Sequence, residues 1–287
     1  MDRPLRWCRL DGPGASEATV WLSAGGIPEA PLAMPRLRWI HTGWAGVEIW
    51  FQRPEWRNGV ALTRTVGDYP QRLAQHVFGY LLAKSLDVPE ALRQMETRAW
   101  RRWTPGSIAR KGLLVVGHGA IGREVAAVGR AFGMSVESVR RHAPSRAEHA
   151  RGVRPAADLV ACLGRADVVV NLLPLTTETE LFWNAERVGA MREGALFINV
   201  SRGATVDDAA LLLGLKRGRP GFAILDVFRE EPLPPTHALR KDPRIWVTPH
   251  VAGIGTVPEM ARAFVENWAR YLAGEPLLHP VDRRRGY

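Results

Sequence analysis

Three polar residues stand out by type and by position: Arg202 in Asn199-Val200-Ser201-Arg202-Gly203, Glu231 in Asp226-Val227-Phe228-Arg229-Glu230-Glu231-Pro232, and His250 in Thr248-Pro249-His250-Val251-Ala252-Gly253. Each segment follows an apolar run that reads as a β-strand, and each residue falls in the loop beyond it. A planar guanidinium suits bidentate binding of a carboxylate. An imidazole gives or takes a proton near neutral pH, and a neighbouring carboxylate fixes its orientation. Singly, each residue has a plain structural reading: a surface charge, a loop acid before proline, a satisfied histidine. In a parallel sheet the carboxyl ends of the strands line the ligand crevice, so the three are placed to converge there.

A second constellation is contiguous. Gly117-His118-Gly119-Ala120-Ile121-Gly122 follows the apolar run 113–116 and precedes a helical run, 123–132. That strand, turn and helix context is what a dinucleotide-binding glycine motif requires. Gly117 allows the tight turn, Gly119 lets the backbone approach a pyrophosphate, and Gly122 permits close helix-on-strand packing. The helix N-terminus then faces the anion. The next strand ends at Arg140-Arg141, where an NAD-preferring fold carries an acid for the ribose hydroxyls. Guanidinium groups there bind a 2′-phosphate instead, which favours NADPH over NADH while leaving NADH possible.

The elements that must position these residues follow from the patterning. Strands read at 113–116, 135–139, 168–172, 196–200, 222–226 and 245–248, with helices between them such as 207–216. Alternation of this kind predicts an α/β protein with a doubly wound parallel sheet. Weaker signals before residue 86 give a strand at 36–41, a loop at 43–46 and a helix at 70–84, a smaller second lobe. Two long helices, 88–103 and 257–272, are placed to cross between lobes. The expected division is a substrate lobe of 1–86 plus 262–287 and a dinucleotide-binding domain of 87–261.

Composition sets the outer limits. A chain of 287 residues, 46% hydrophobic and 24% charged, is ordinary for a folded globular protein of two lobes. Its formal charge of +10 rests on arginine, since only Lys84, Lys111, Lys216 and Lys241 are lysines. The arginines are scattered, with no long basic arm, so nucleic acid is not the expected partner. No stretch approaches the length of a membrane span. Cys8 and Cys162 form neither a disulfide framework nor a metal or redox pair, and a cytoplasmic setting is expected. The eight histidines are dispersed without ligand spacing, so no metal site is expected.

In this order behind a glycine turn, the charged segments resemble the D-isomer-specific 2-hydroxyacid dehydrogenase family, and within it the glyoxylate/hydroxypyruvate reductase A branch. The resemblance spans about residues 35 to 287. It includes Trp44-Ala45-Gly46-Val47-Glu48, Asn171-Leu172-Leu173-Pro174-Leu175 and the ending Val281-Asp282-Arg283-Arg284-Arg285-Gly286-Tyr287. The spacings from Arg202 to Glu231 and from Glu231 to His250 are also those of the family. Gln75, where the family usually has glutamate, and Glu48, where aspartate is commoner, depart from the pattern. The chain before the glycine turn also reads as shortened by a strand and a helix.

The resemblance implies reduction of a small 2-oxo acid, glyoxylate or hydroxypyruvate, to the 2-hydroxy acid. Arg202 would bind the substrate carboxylate and polarise the oxo group. His250 would be the acid and base, and Glu231 would orient it. Trp44, Ala45, Gly46 and Val47 would form the loop that holds the substrate, with Trp44 favouring small ones. Cofactor contacts would come from Gly117, Gly119, Ala120, Ile121, Gly122, Arg140, Arg141, Leu173, Pro174, Val200, Ser201, Arg202, Asp226 and His250, with Asp226 orienting the nicotinamide amide. A homodimer is implied as well. The alternatives are an NAD-linked D-2-hydroxyacid or phosphoglycerate dehydrogenase, and a non-catalytic nucleotide-sensing regulator.

Overall fold

Strands buried on both faces must be apolar throughout, and such runs supply the central sheet of the larger unit. In the computed structural model, which describes residues 8–9, 12–23, 34–44, 46–47, 50 and 59–282, contacts divide the chain into two compact units. One is Tyr69–Ile254; the other joins Met1–Asp68 to Gly255–Tyr287.

The smaller unit holds a three-stranded parallel sheet in the order β1 (Val20–Ser23), β2 (Trp39–Thr42), β3 (Ala61–Arg64). Of these strands, the sequence reading foresees only β2; the other two are four-residue runs of mixed polarity, too short to show a period. In the larger unit, helices α1 (Tyr69–Ser85) and α2 (Val88–Thr97) precede β4 (Gly112–Val116), α3 (Ala120–Ala131) and β5 (Ser135–Arg140). Then come α4 (Arg146–Ala150), β6 (Val153–Pro155), α5 (Leu159–Leu163), β7 (Val168–Asn171), α6 (Ala185–Gly189) and β8 (Leu196–Asn199). The unit closes with α7 (Asp208–Lys216), β9 (Phe222–Leu225), α8 (Ala238–Lys241) and β10 (Ile245–Val247). Helix α9 (Val257–Ala273) returns to the smaller unit.

The seven strands of the larger unit are all parallel, in the order β10-β9-β8-β7-β4-β5-β6. This is the expected doubly wound sheet: the order reverses beside β4, which opens a crevice between the carboxyl ends of β4 and β7. Leu113, Val115, Val169 and Ile198 are wholly or almost wholly buried, as strands covered on both faces require. Gly129 of α3 lets that helix close on β4, because a Cβ there would meet Leu113 at 2.6 Å.

The unit boundaries fall at Asp68/Tyr69 and Ile254/Gly255 rather than at 86/87 and 261/262. Packing accounts for the difference: Phe78 of α1 stacks on Phe132 beyond α3 at 5.4 Å, which ties α1 to the larger unit. The helix expected over 88–103 stops at Thr97. Arg98 takes a left-handed conformation, and the buried Gln94 side chain bonds both backbone groups of Arg101, turning the chain away.

In the smaller unit Trp39 is fully buried and stacks on Phe264 of α9 at 5.3 Å. Beside it His41, also fully buried, is held between Thr63 at 2.8 Å and Thr65 at 3.2 Å. Burial, helped by His279, pushes the His41 imidazole down to about 4, so it stands neutral in the core.

Candidate active site

The glycine turn lies at the carboxyl end of β4, and each glycine has a distinct physical reason to be there. Gly117 has φ of 112°, and a Cβ on it would meet the Leu172 carbonyl at 2.9 Å. A Cβ on Gly122 would collide with the carbonyl of Gly117. At Gly119, in contrast, a Cβ would meet nothing within 4 Å, so the side chain missing there leaves open space above the turn. Gly119 is also the N-cap of α3 and supplies no side-chain cap. An open approach to an uncapped helix N-terminus fits a dinucleotide pyrophosphate. Of the other expected contacts on this side, Ala120 is exposed, Ile121, Leu173 and Pro174 are half-buried, and Arg140 ends β5.

On the far side of the switch point, a network of buried amides shapes the Arg202 loop. Asn171, at the end of β7, donates to Asn199 at 3.0 Å, to Ser201 at 3.0 Å and to Thr205 at 2.9 Å. Ser201 accepts the Arg202 N–H at 2.6 Å, and Thr205 donates to the Arg202 carbonyl at 2.6 Å. The backbone of Arg202 is thereby fixed at both its N–H and its carbonyl. Its half-buried guanidinium donates to the Ser201 carbonyl at 2.6 Å. Val200 and Ser201, both expected near the cofactor, are buried, and the Ser201 hydroxyl is part of this network.

Gly203 then joins two loops. A Cβ on it would overlap the backbone of Phe228, so no other residue lets the Arg202 loop lie against the loop that carries Glu231. The Phe228 N–H donates to Glu231 Oε1 at 2.8 Å, and Glu231 Oε2 meets His250 Nδ1 at 2.7 Å. The carboxylate thus bridges its own loop and the histidine, leaving Nε2 as the ring nitrogen available for proton transfer. Arg202, Glu231 and His250 follow β8, β9 and β10, three neighbouring parallel strands, and their loops share one end of the sheet.

His250 has φ of 54°, a conformation that strains a residue with a side chain. It persists because its N–H donates to the Asp226 carbonyl at 2.8 Å and the next two N–H groups, of Val251 and Ala252, donate to the Asp226 carboxylate at 3.0 and 2.9 Å. Asp226 is fully buried and also accepts the Thr248 hydroxyl at 2.5 Å. The described contacts of Asp226 therefore hold the histidine loop. From α1, His76 reaches Thr248 at 3.4 Å and Arg72 donates to the Ile254 carbonyl at 2.7 Å. Burial pushes His76 below its ordinary value, against the pull of Asp226.

Sequence reasoning leaves out His76 and gives Asn171 no role, because each acts through residues far away along the chain. In the smaller unit, Trp44 is exposed and its N–H is bound to Thr42 at 3.2 Å, Gly46 is half-buried, and Val47 lies in the apolar core with Trp21 and Ile40. Ala45, Glu48 and the tail 283–287 lie outside the described residues. Among the described residues no group of His, Cys, Asp or Glu is gathered to hold a metal, and no helix is long and apolar enough to cross a membrane.

A doubly wound sheet with a glycine turn at its switch point and a histidine–carboxylate pair at the neighbouring strand ends defines a nicotinamide-dependent oxidoreductase. The family model for the D-isomer specific 2-hydroxyacid dehydrogenase NAD binding domain matches residues 78–252. An uncharacterized protein from the mprR 3′ region of Streptomyces coelicolor is 36% identical, covering 92% of this chain and 98% of its own. Glyoxylate/hydroxypyruvate reductase A of Serratia proteamaculans is 31% identical over 76% of this chain and 69% of its own. The crystal structure of a D-isomer specific 2-hydroxyacid dehydrogenase from Xanthobacter autotrophicus, in complex with NADPH and MES, superposes with a TM-score of 0.84 at 35% identity, covering 95% of this chain and 86% of that one. The chain belongs to the D-isomer specific 2-hydroxyacid dehydrogenase family, and within it is similar to the glyoxylate/hydroxypyruvate reductase A branch.

Proposed function

We propose that the protein reduces a small 2-oxo acid, glyoxylate or hydroxypyruvate, to the 2-hydroxy acid with NADPH. The observation that carries this reading is the 2.7 Å pair of His250 Nδ1 and Glu231 Oε2 at the carboxyl edge of a sheet whose switch point bears an open glycine turn. The NADPH complex of the Xanthobacter relative and the name of the Serratia one support the cofactor and the substrate class. Arg140, the last residue of the next strand, and Arg141 just beyond it supply cations suited to a 2′-phosphate.

Gly117, Gly119 and Gly122 with Ala120 and Ile121 hold the pyrophosphate, and Leu173, Pro174, Val200 and Ser201 flank the bound dinucleotide. Reduced nicotinamide, when bound, supplies a hydride to C2 of the oxo acid. Arg202 binds the substrate carboxylate and draws electron density from the oxo group. The Nε2 proton of His250 moves to the carbonyl oxygen as that oxygen gains charge, and Glu231 holds the ring in the tautomer that keeps Nδ1 protonated. Asp226, through Val251 and Ala252, keeps His250 aimed, and its contact with the nicotinamide amide is a second role on this reading.

The smaller unit serves the substrate. The Trp44 N–H is bound to Thr42, so on this reading the amides of Ala45, Gly46 and Val47 are the carboxylate donors of its loop, and Trp44 limits substrate size. The protein works as a cytoplasmic homodimer, with the exposed apolar residues Leu92, Met95 and Trp100 available to an interface; light scattering tests the assembly.

The functional test is the initial rate of reduced-nicotinamide oxidation, with NADPH and NADH offered in parallel against glyoxylate, hydroxypyruvate and pyruvate. Turnover of glyoxylate or hydroxypyruvate with NADPH is expected. Preference for NADH or for a larger oxo acid would favour an NAD-linked relative of the phosphoglycerate type. Tight binding of cofactor without turnover of any oxo acid would favour a nucleotide-sensing regulator.

A further inference from the structure

The geometry points to Glu148 as the residue that sets the balance between the two nicotinamide cofactors, by acting as a built-in counter-ion to Arg140; this rests on the dinucleotide reading above. Arg140 ends β5, and the N–H of Gly117 in the glycine turn is bound to the carbonyl of Val139, one residue before it, at 2.9 Å. The cation that would meet a 2′-phosphate is not idle, however. Its Nη1 donates to Glu148 Oε1 at 2.6 Å, with both side chains about one-third exposed (32% and 34%).

Glu148 is itself held. Its Oε2 accepts the Ser145 N–H at 2.8 Å, its own N–H donates to the Ser145 hydroxyl at 3.3 Å, and the two form the capping box of α4. These Ser145 bonds hold its carboxyl below the usual carboxylate range, so the counter-charge stays in place at neutral pH. His118, between the first two glycines of the turn, has a buried Nδ1 without a hydrogen-bond partner, and its imidazole feels Arg123, Glu148 and Arg140 together. One electrostatic neighbourhood therefore joins the turn, Arg140 and Glu148.

Two consequences follow for a ribose at this strand end. A 2′-phosphate has to share Arg140 with a carboxylate that repels it. A free 2′-hydroxyl, as in NADH, can donate to that same carboxylate. Glu148 thus weakens NADPH binding and favours NADH. Arg141 has its own partner, Glu178, but at 3.5 Å and with side chains 69% and 61% exposed, where solvent screens the pair.

The test measures dissociation constants of NADP+ and NAD+ by tryptophan fluorescence titration of the whole protein, for the unmodified chain, Glu148→Gln and Glu178→Gln. Glutamine serves as well as glutamate at the third position of a capping box, so the first variant removes charge and keeps the helix start. The expected result is a ratio shifted toward NADP+ by roughly three- to tenfold in Glu148→Gln, and by less than about twofold in Glu178→Gln. An unchanged ratio in Glu148→Gln, with both cofactors binding the unmodified chain, overturns this inference alone. If neither dinucleotide binds the unmodified chain, the cofactor reading falls with it.

Discussion

His41 in the smaller unit lies within strand β2 and His250 in the larger one lies in the loop after β10, and their surroundings give them opposite properties. His41 is fully buried beside the Trp39 stack, its ring nitrogens facing the hydroxyls of Thr63 and Thr65 and, among the described residues, no carboxylate. His250 is exposed, left-handed in its backbone and held by the carboxylate of Glu231. The first imidazole serves stability by staying neutral; the second stands at the sheet edge with a carboxylate on one ring nitrogen. A histidine's partners and exposure decide whether it can do chemistry.

The largest effect that separates the two concerns acid. His41 stands at about 4 when folded against an ordinary 6.5, so the unfolded chain binds its proton more readily. Its share of stability is intact above pH 6.5, is lost as pH falls from 6.5 toward 4, and loses nothing further below that. The loss should total about 3 kcal/mol. Urea unfolding followed by tryptophan emission at pH 7 and at pH 4.5 measures it, and His41→Leu should remove most of that acid sensitivity. Equal acid sensitivity in the variant would break the contrast.

Next in size is Asp226→Asn. The buried carboxylate accepts from Thr248, Val251 and Ala252, and an amide would turn a donor toward one of them. An unsatisfied group of this kind costs about 1–3 kcal/mol, so kcat should fall about ten- to a hundredfold as the His250 loop loosens. Steady-state kinetics of the variant, together with its NADP+ titration, would show whether turnover suffers more than binding. Glu231→Gln should have the smallest effect, about tenfold in kcat, because one amide oxygen cannot accept from both Phe228 and His250. A variant that turns over as fast as the unmodified protein would show that the pair does not orient the ring.

Legibility in the sequence differs between regions for physical reasons. The glycine turn is readable because strand, turn and helix are contiguous, and the structure gives a separate steric reason for Gly117 and for Gly122. The central strands β4, β7 and β8 are readable because burial on both faces demands uninterrupted apolar runs. Short elements such as β6, α4 and α8 are not, because three to five residues contain too little of any period. The fit of Gly203 on Phe228 and the reach of His76 to Thr248 depend on tertiary packing that no local pattern records. Glu148 lies between these cases: Ser145-Arg146-Ala147-Glu148 is a readable capping box, but its bond to Arg140 requires the fold.

The most direct test of the account is the turnover of His250→Ala with NADPH and glyoxylate, measured beside the dissociation constant of NADP+ for the same variant. If Nε2 of His250 supplies the proton, kcat falls about 10²–10⁴-fold while cofactor binding and the unfolding midpoint change little. A variant that keeps its rate would contradict the assignment of His250 as the proton donor.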